Sequence, residues 1–205
     1  MTTASANNDD LIQEEILKAA LLLYRKHGPG KVTMDDVATA TGRSRTSLYY
    51  YYKNKDDIFQ AVLDKIVNDV ATVIRSAVKA TSGIAGQLLA FCMTKLKTSE
   101  EWKIIFKSMW LAMNEKERTG HATMMGSLHK KLLYQEGLIV NEILSTAIDA
   151  GEIRNMAAGE RDMLAFVVSS SIRGIRSEIF EQQDPHSAKA AMQMLTDMIA
   201  DWLKR

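Results

Sequence analysis

The sequence predicts an all-α protein. Residues with high helix propensity are abundant among its 205 positions, and only two prolines and eleven glycines interrupt them. Hydrophobic residues make up 46% of the chain and charged residues 25%, a globular composition that excludes disordered and fibrous proteins. Apolar side chains recur at the three- and four-residue spacing of an amphipathic helix along most of the chain.

The first helix is predicted over residues 10–27, with Asp10 as its N-cap and a flexible tail over residues 1–9. The sequence Gly28-Pro29-Gly30 ends this helix, because glycine and a glycine-proline step both disfavour the α conformation.

Three capping residues divide the next segment. Thr33 precedes two aspartates and predicts the start of a short second helix, since both residue types satisfy first-turn N–H groups. Ser44 predicts the cap of a third helix, and Asn54 the cap of a fourth that extends from Lys55 to about Lys79. Further helices are expected over residues 84–96, 100–115, 119–150, 159–182 and 187–204.

Charge is distributed unevenly along the chain. The formal net charge is only +1, which excludes a generic binder of polyanions and requires any nucleic-acid contact to depend on local charge. Residues 41–55 contain no acidic residue but carry Arg43, Arg45, Lys53, Lys55 and four consecutive tyrosines, Tyr49, Tyr50, Tyr51 and Tyr52. This basic, aromatic segment is the candidate contact with DNA.

The segment also has the small residues that a helix-turn-helix needs. Ala38 is small where the two helices would cross, and Gly42 can adopt the left-handed conformation of the turn. Leu48 and Tyr51 would hold the third helix, the second of the motif, in place. This leaves Ser44, Arg45, Thr46, Ser47 and Tyr49 facing outward. The alternative is an ordinary helical hairpin with solvated basic residues.

Residues 16–62, which include ILKAALLLYRKHG and VTMDDVATATGRSRTSLYYYYKNKDDIFQAV, resemble the N-terminal DNA-binding domain of the TetR/AcrR family of regulators. The resemblance implies a three-helix DNA-binding domain over residues 10–53 and a helical ligand-binding and dimerisation domain over residues 54–205. It also implies a homodimer that binds a near-palindromic operator and releases it when a small, mainly apolar effector binds.

The resemblance assigns roles to individual residues. Arg45, Thr46 and Ser47 would contact base edges, whereas Thr33, Tyr49 and Lys55 would contact the DNA backbone. Tyr50 would either stack near the backbone or cover the domain interface. The full predicted DNA-binding set is Thr33, Met34, Ser44, Arg45, Thr46, Ser47, Tyr49, Tyr50 and Lys55.

Large apolar side chains are concentrated in the middle of the chain. The predicted ligand-binding residues are Trp102, Phe106, Met109, Trp110, Met113, Met125, Tyr134 and Phe166. The alternative is that they pack a helical core, and we expect some of them to do so.

The last helix has apolar residues at alternating spacings of three and four, which predicts a seam for a partner helix. With a small-residue face on the preceding helix, this seam would form a four-helix bundle between two subunits. The predicted dimer residues are Ser170, Gly174, Ala191, Leu195, Met198 and Trp202. Burial against the same chain is the alternative.

No sequence motif supports catalysis. Cys92 is the only cysteine, which excludes an intrachain disulfide and a cysteine metal site. His121 and His129 lie eight residues apart, too far along one helix to share a metal ion. We therefore expect no enzyme activity, metal or cofactor, no membrane association and a cytoplasmic location. The alternative function is a non-catalytic protein-interaction module, and a helical-bundle enzyme ranks below it.

Overall fold

The computed structural model describes the backbone of residues 3–182 and 185–204, and the side chains of residues 8–115, 118, 124–178 and 188–204. Within this part of the chain there are eight helices and no strands, so the predicted all-α fold class is confirmed. The helices are α1 (Thr3–His27), α2 (Met34–Ala40), α3 (Arg45–Tyr51), α4 (Lys55–Lys79), α5 (Ile84–Ala112), α6 (Glu115–Asp149), α7 (Ala158–Gln182) and α8 (Pro185–Leu203).

The helices form two compact units. The first contains Met1–Ile66 and Glu101–Leu128, and the second contains Val67–Glu100 and His129–Arg205. Helix α4 runs from the first unit into the second. The division of the chain after residue 53 stays a prediction. None of the helices in the described residues is both long and apolar enough to cross a membrane.

The predicted capping residues are present at the starts of α2, α3 and α4. Thr33 forms a capping box with Asp36, and the Ser44 side chain accepts a hydrogen bond from the Ser47 N–H. The Asn54 side chain likewise accepts from the Asp57 N–H at 2.9 Å. Each cap satisfies an N–H group that has no partner within its own helix.

Two predicted helix boundaries are wrong. Helix α1 begins at Thr3, so Asp10 lies inside the helix and does not cap it. Helix α5 is continuous where a break was expected at residues 97–99. The Thr98 hydroxyl, although typical of a cap, donates to the Thr94 carbonyl at 3.0 Å and is thereby satisfied inside the helix.

Gly28 ends α1 next to the end of α5, within the first unit. Its φ is +79°, and a Cβ atom there would lie 2.9 Å from the Ala112 carbonyl oxygen. Glycine is therefore required at this position both by the backbone conformation and by the space.

In the second unit, a buried ion pair connects three helices. The Lys95 ammonium on α5 lies 2.5 Å from the Glu136 carboxylate on α6 and donates to the Ser169 carbonyl of α7 at 3.1 Å. Burial lowers the pKa of Lys95, and the charge of Glu136 opposes that change.

Candidate nucleic-acid interface

Helix α3 is held by one side and exposed on the other. Leu48 is completely buried, Val37 and Ala38 of α2 are buried as well, and α2 packs against α3. Gly42 has a φ of +63° in the turn between the helices, as the sequence predicts. The packing leaves Ser44, Arg45, Thr46, Tyr49 and Tyr50 exposed and Ser47 half-buried. The predicted helix-turn-helix is therefore present.

Arg45 lies at the centre of a polar cluster on this exposed surface. Its Nη1 donates to the Asp35 carboxylate at 3.3 Å, and its Nη2 donates to the Tyr49 hydroxyl at 3.4 Å. The guanidinium carbon also lies 5.7 Å from the centre of the Tyr49 ring. The Tyr49 hydrogen bond and the Asp35 charge raise the pKa of Arg45, so its positive charge is permanent.

The two predicted phosphate-contacting residues Thr33 and Lys55 differ in how far their hydrogen-bond donors are already used within the protein. The Thr33 hydroxyl donates to the Asp36 carboxylate at 2.7 Å and accepts from the Asp36 N–H at 3.2 Å. The hydroxyl and the Thr33 N–H both donate to this carboxylate, and these two bonds lower the pKa of Asp36. The Thr33 hydroxyl is thus committed to the capping box. The Lys55 ammonium donates to the Gly30 carbonyl at 2.8 Å, which uses one of its three donors.

Met34 is the predicted DNA-binding residue whose side chain is buried. Its side chain is buried, because the first turn of α2 directs this position into the core beside Val37. This burial disfavours a contact of the Met34 side chain with DNA, and its place in the DNA-binding set stays a prediction.

The tyrosines of α3 are in different environments. Tyr50 is 77% exposed and makes an edge-to-face contact with the Tyr51 ring at 4.9 Å. The Tyr51 hydroxyl donates to Asp9 of α1 at 2.9 Å, and Tyr52 is buried. Tyr51 and Tyr52 therefore hold the domain together, whereas Tyr49 and Tyr50 are accessible.

Acidic partners of the basic segment were missed by the sequence analysis. Glu15 of α1 pairs with Arg43 at 2.8 Å, and Asp35 of α2 pairs with Arg45. Asp35 was considered only as a first-turn residue that favours the helix dipole. The signal that could have found its second role is its position: a turn brings the first residues of two successive short helices close together.

The predicted ligand-binding residues are divided between the two units. In the first unit, Met109 and Met113 are buried, Trp102, Phe106 and Met125 are half-buried, and Trp110 is exposed under the Arg118 guanidinium. In the second unit, Tyr134 and Phe166 are exposed and line one cavity of about 250 Å³ between α6 and α7. Within the described part of the chain, the structure brings Tyr134 and Phe166 together around this cavity.

The predicted dimer residues lie on α7 and α8, which pack against each other. Gly174, Met198 and Trp202 are exposed, whereas Ser170, Ala191 and Leu195 are half-buried. Met194 of α8 is also exposed. Ala188, three residues before Ala191 on the same helix, is buried against its own chain.

His129 contacts a basic residue. Its Nε2 lies 2.6 Å from Nη1 of Arg173, and burial together with the Arg173 charge lowers the pKa of His129. The neutral imidazole can accept a hydrogen bond from the guanidinium. The side chain of His121 lies outside the described residues.

Comparisons with known proteins agree on the N-terminal region. The family model described as "Bacterial regulatory proteins, tetR family" matches residues 16–62. The chain is 28% identical over 57 residues to the biofilm operon negative transcriptional regulator IcaR of Staphylococcus epidermidis, covering 28% of this chain and 31% of IcaR. It is 24% identical over 121 residues to the nucleoid occlusion factor SlmA of Haemophilus ducreyi, covering 58% of this chain and 55% of SlmA. The matches thus span about half or less of these curated relatives.

One solved structure extends the likeness to the whole fold. SmeT, the repressor of the Stenotrophomonas maltophilia multidrug efflux pump SmeDEF, superposes with a TM-score of 0.55 at 17% identity. The superposition covers 91% of this chain and 87% of SmeT. At this identity the likeness shows a common fold.

Proposed function

Because this chain belongs, through residues 16–62, to the tetR family of bacterial regulatory proteins, we propose that it is a DNA-binding transcriptional repressor. One observation carries the proposal. Helix α3 is anchored by the buried Leu48 and presents Arg45, Thr46 and Tyr49 to solvent. A short helix held in this way is the element that enters the major groove in helix-turn-helix proteins.

The proposal includes a homodimer on a near-palindromic operator. Its support is the exposure of Met194, Met198 and Trp202 on α8, since large exposed apolar side chains in one row favour association. Two copies would set two recognition helices at the spacing of successive major grooves, about 34 Å apart.

The proposal also includes release by a small, mainly apolar effector. Its support is the cavity between α6 and α7, whose walls include Leu133, Tyr134, Leu138 and Phe166. IcaR and SmeT are both named as negative regulators or repressors. A regulator of this kind acts on the chromosome, and we therefore propose a cytoplasmic location and no catalytic step.

Selection of bound fragments from a random duplex library tests DNA recognition directly. The purified chain should enrich one near-palindromic sequence, and Arg45→Ala should change the bases enriched. Arg176→Ala removes the same side chain type from the second unit and should leave the enriched sequence unchanged. If the wild-type chain enriches no sequence, the proposed function is wrong and a protein-interaction module becomes the better interpretation.

Sedimentation tests the dimer. Leu195→Glu would place a charge on the proposed contact without a partner, which should yield a folded monomer. Lys189→Glu also places a glutamate on α8, at an exposed position outside the proposed seam, and should remain dimeric. A dimer for Leu195→Glu would remove this seam from the interface.

A further inference from the structure

Asp35 forms an ion pair with Arg45, the residue that is proposed to contact bases. We propose that Asp35 is a positioning residue that sets the DNA sequence preference of the chain through Arg45. In the free protein its carboxylate orients the Arg45 guanidinium and cancels its charge, and a matching base replaces the carboxylate when DNA binds. This inference rests on the proposed function.

The ion pair between Asp35 and Arg45 is positioned by a capped helix start on each side. Asp35 lies in the first turn of α2, where the capping box of Thr33 and Asp36 determines the backbone. Arg45 is the first residue of α3, directly after the Ser44 cap. The carboxylate and the guanidinium approach to 3.3 Å across the turn, so the pair connects the two helices of the motif at their N-terminal ends.

The surroundings of the pair indicate a role in binding. The side chains of Arg45 and Asp35 are 59% and 63% exposed, and an exposed ion pair contributes little to folding because water solvates both charges. A carboxylate on a surface that approaches phosphates also repels them. Asp35 therefore lowers the general attraction of this surface for DNA.

The chemistry of the exchange provides the selectivity. Guanine offers two acceptors, N7 and O6, in the major groove, and these can take over donors of the guanidinium. A base pair that lacks this pattern leaves Arg45 with Asp35, so binding there gains no base contact. Tyr49 keeps the side chain over α3 by its hydroxyl, at 3.4 Å, during either arrangement. The carboxylate thus acts as a competitor that only the matching base displaces.

Affinity measurements on two DNA probes test the proposal. The probes are the duplex that the wild-type chain enriches from a random library and a shuffled duplex of the same composition. Asp35→Asn and Asp35→Ala should bind both duplexes more tightly, because a charge that repels phosphates is lost, and the gain should be much larger with the shuffled duplex. We expect the ratio of the two affinities to fall by about tenfold, the scale of one base contact.

Matched variants separate positioning from loss of charge. Asp35→Glu keeps the carboxylate and should restore most of the ratio. Asp57→Asn removes one negative charge from an exposed first-turn position of α4 and should tighten both probes alike. In the Arg45→Ala background, replacing Asp35 should leave the ratio unchanged, because the residue through which it acts is absent. Circular dichroism melting checks that each variant is folded.

The possible failures are distinguishable. If the wild-type chain enriches no duplex, the proposed function fails and this inference fails with it. If the wild-type chain has a preference but the Asp35 variants change both affinities by one factor, as Asp57→Asn does, the proposed function stands and the role of Asp35 is refuted. The role of Asp35 is equally refuted if Asp35→Ala changes the affinity ratio as much in the Arg45→Ala background as in the wild type.

Discussion

Two ion pairs in this molecule have the same chemistry and opposite surroundings. Arg45 and Asp35 lie 3.3 Å apart at the surface of the first unit, with more than half of each side chain exposed. Lys95 and Glu136 lie 2.5 Å apart in the second unit, with 10% and 8% of their side chains exposed. Each pair joins two helices. Water can solvate either member of the first pair, so that pair can exchange partners.

The buried pair has no such freedom. Without Glu136, the Lys95 ammonium would retain only the Ser169 carbonyl, in a site from which water is largely excluded. A pair of opposite charges would therefore serve recognition in one region, as proposed, and the integrity of the fold in the other. The degree of exposure to water decides which of these two roles an ion pair has.

The largest effect is expected from Glu136→Ala. Removing one member of a buried pair leaves an uncompensated charge, which should lower the free energy of unfolding by about 3–5 kcal/mol. Urea unfolding of the full chain measures this. Glu14→Gln breaks the exposed pair with Lys18 and should leave the unfolding midpoint unchanged. Similar midpoints for the two variants would invalidate the distinction between buried and exposed pairs.

Arg45→Ala should show the reverse pattern. It should cost about 1–3 kcal/mol in binding to the enriched duplex and much less with the shuffled duplex, because a base contact is lost. Its unfolding midpoint should match the wild type, since its partner Asp35 remains solvated. Fluorescence anisotropy titrations and urea unfolding measure the two quantities. A loss of equal size on both duplexes would argue against a base contact.

Lys55→Ala should weaken binding to every duplex by a similar factor. Its ammonium lies at the start of α4 and would contact a phosphate, which is the same in any sequence. The slope of log K against log salt should decrease in magnitude by about one per half-site, because fewer counterions are released. Titrations at several salt concentrations check this. A slope equal to that of the wild type would exclude the phosphate contact.

The smallest effect concerns pH in the second unit. The lowered pKa of His129 means that the unfolded chain takes up a proton more readily than the folded one. Its contribution to stability is therefore present above the ordinary histidine pKa of about 6.5 and decreases as the pH falls below it. Thermal unfolding at pH 7.5 and 5.5 should show a smaller pH dependence for His129→Gln than for the wild type. Equal dependence would show that the contact with Arg173 has no such effect.

The sequence predicted what is decided locally. The caps at Thr33, Ser44 and Asn54 and both ends of α4 are as expected, because capping depends on residues three positions apart. The turn at Gly42 was also predicted, because the left-handed conformation is a property of glycine itself. These features locate the helices and the turn of the motif before any tertiary contact is known.

What the sequence did not predict depends on distant neighbours. The burial of Met34 depends on the core under α2, and the pairing of Asp35 with Arg45 depends on the angle of the turn. Thr98 of α5 is buried by packing, and its hydroxyl bonds inside the helix instead of capping a new one. A side chain that suits two environments is assigned by packing, which spacing along the chain does not specify.

The close approach of Gly28 to Ala112 has a mechanical consequence. The two backbones touch without an intervening side chain, so no rotamer change can absorb a shift between the ends of α1 and α5. Gly30, two residues after this contact, binds Lys55 at the start of α4 through its carbonyl, so a displacement of Ala112 toward α1 would press on the backbone next to that bond. A single methyl group at residue 28 would act as a wedge between the two helix ends.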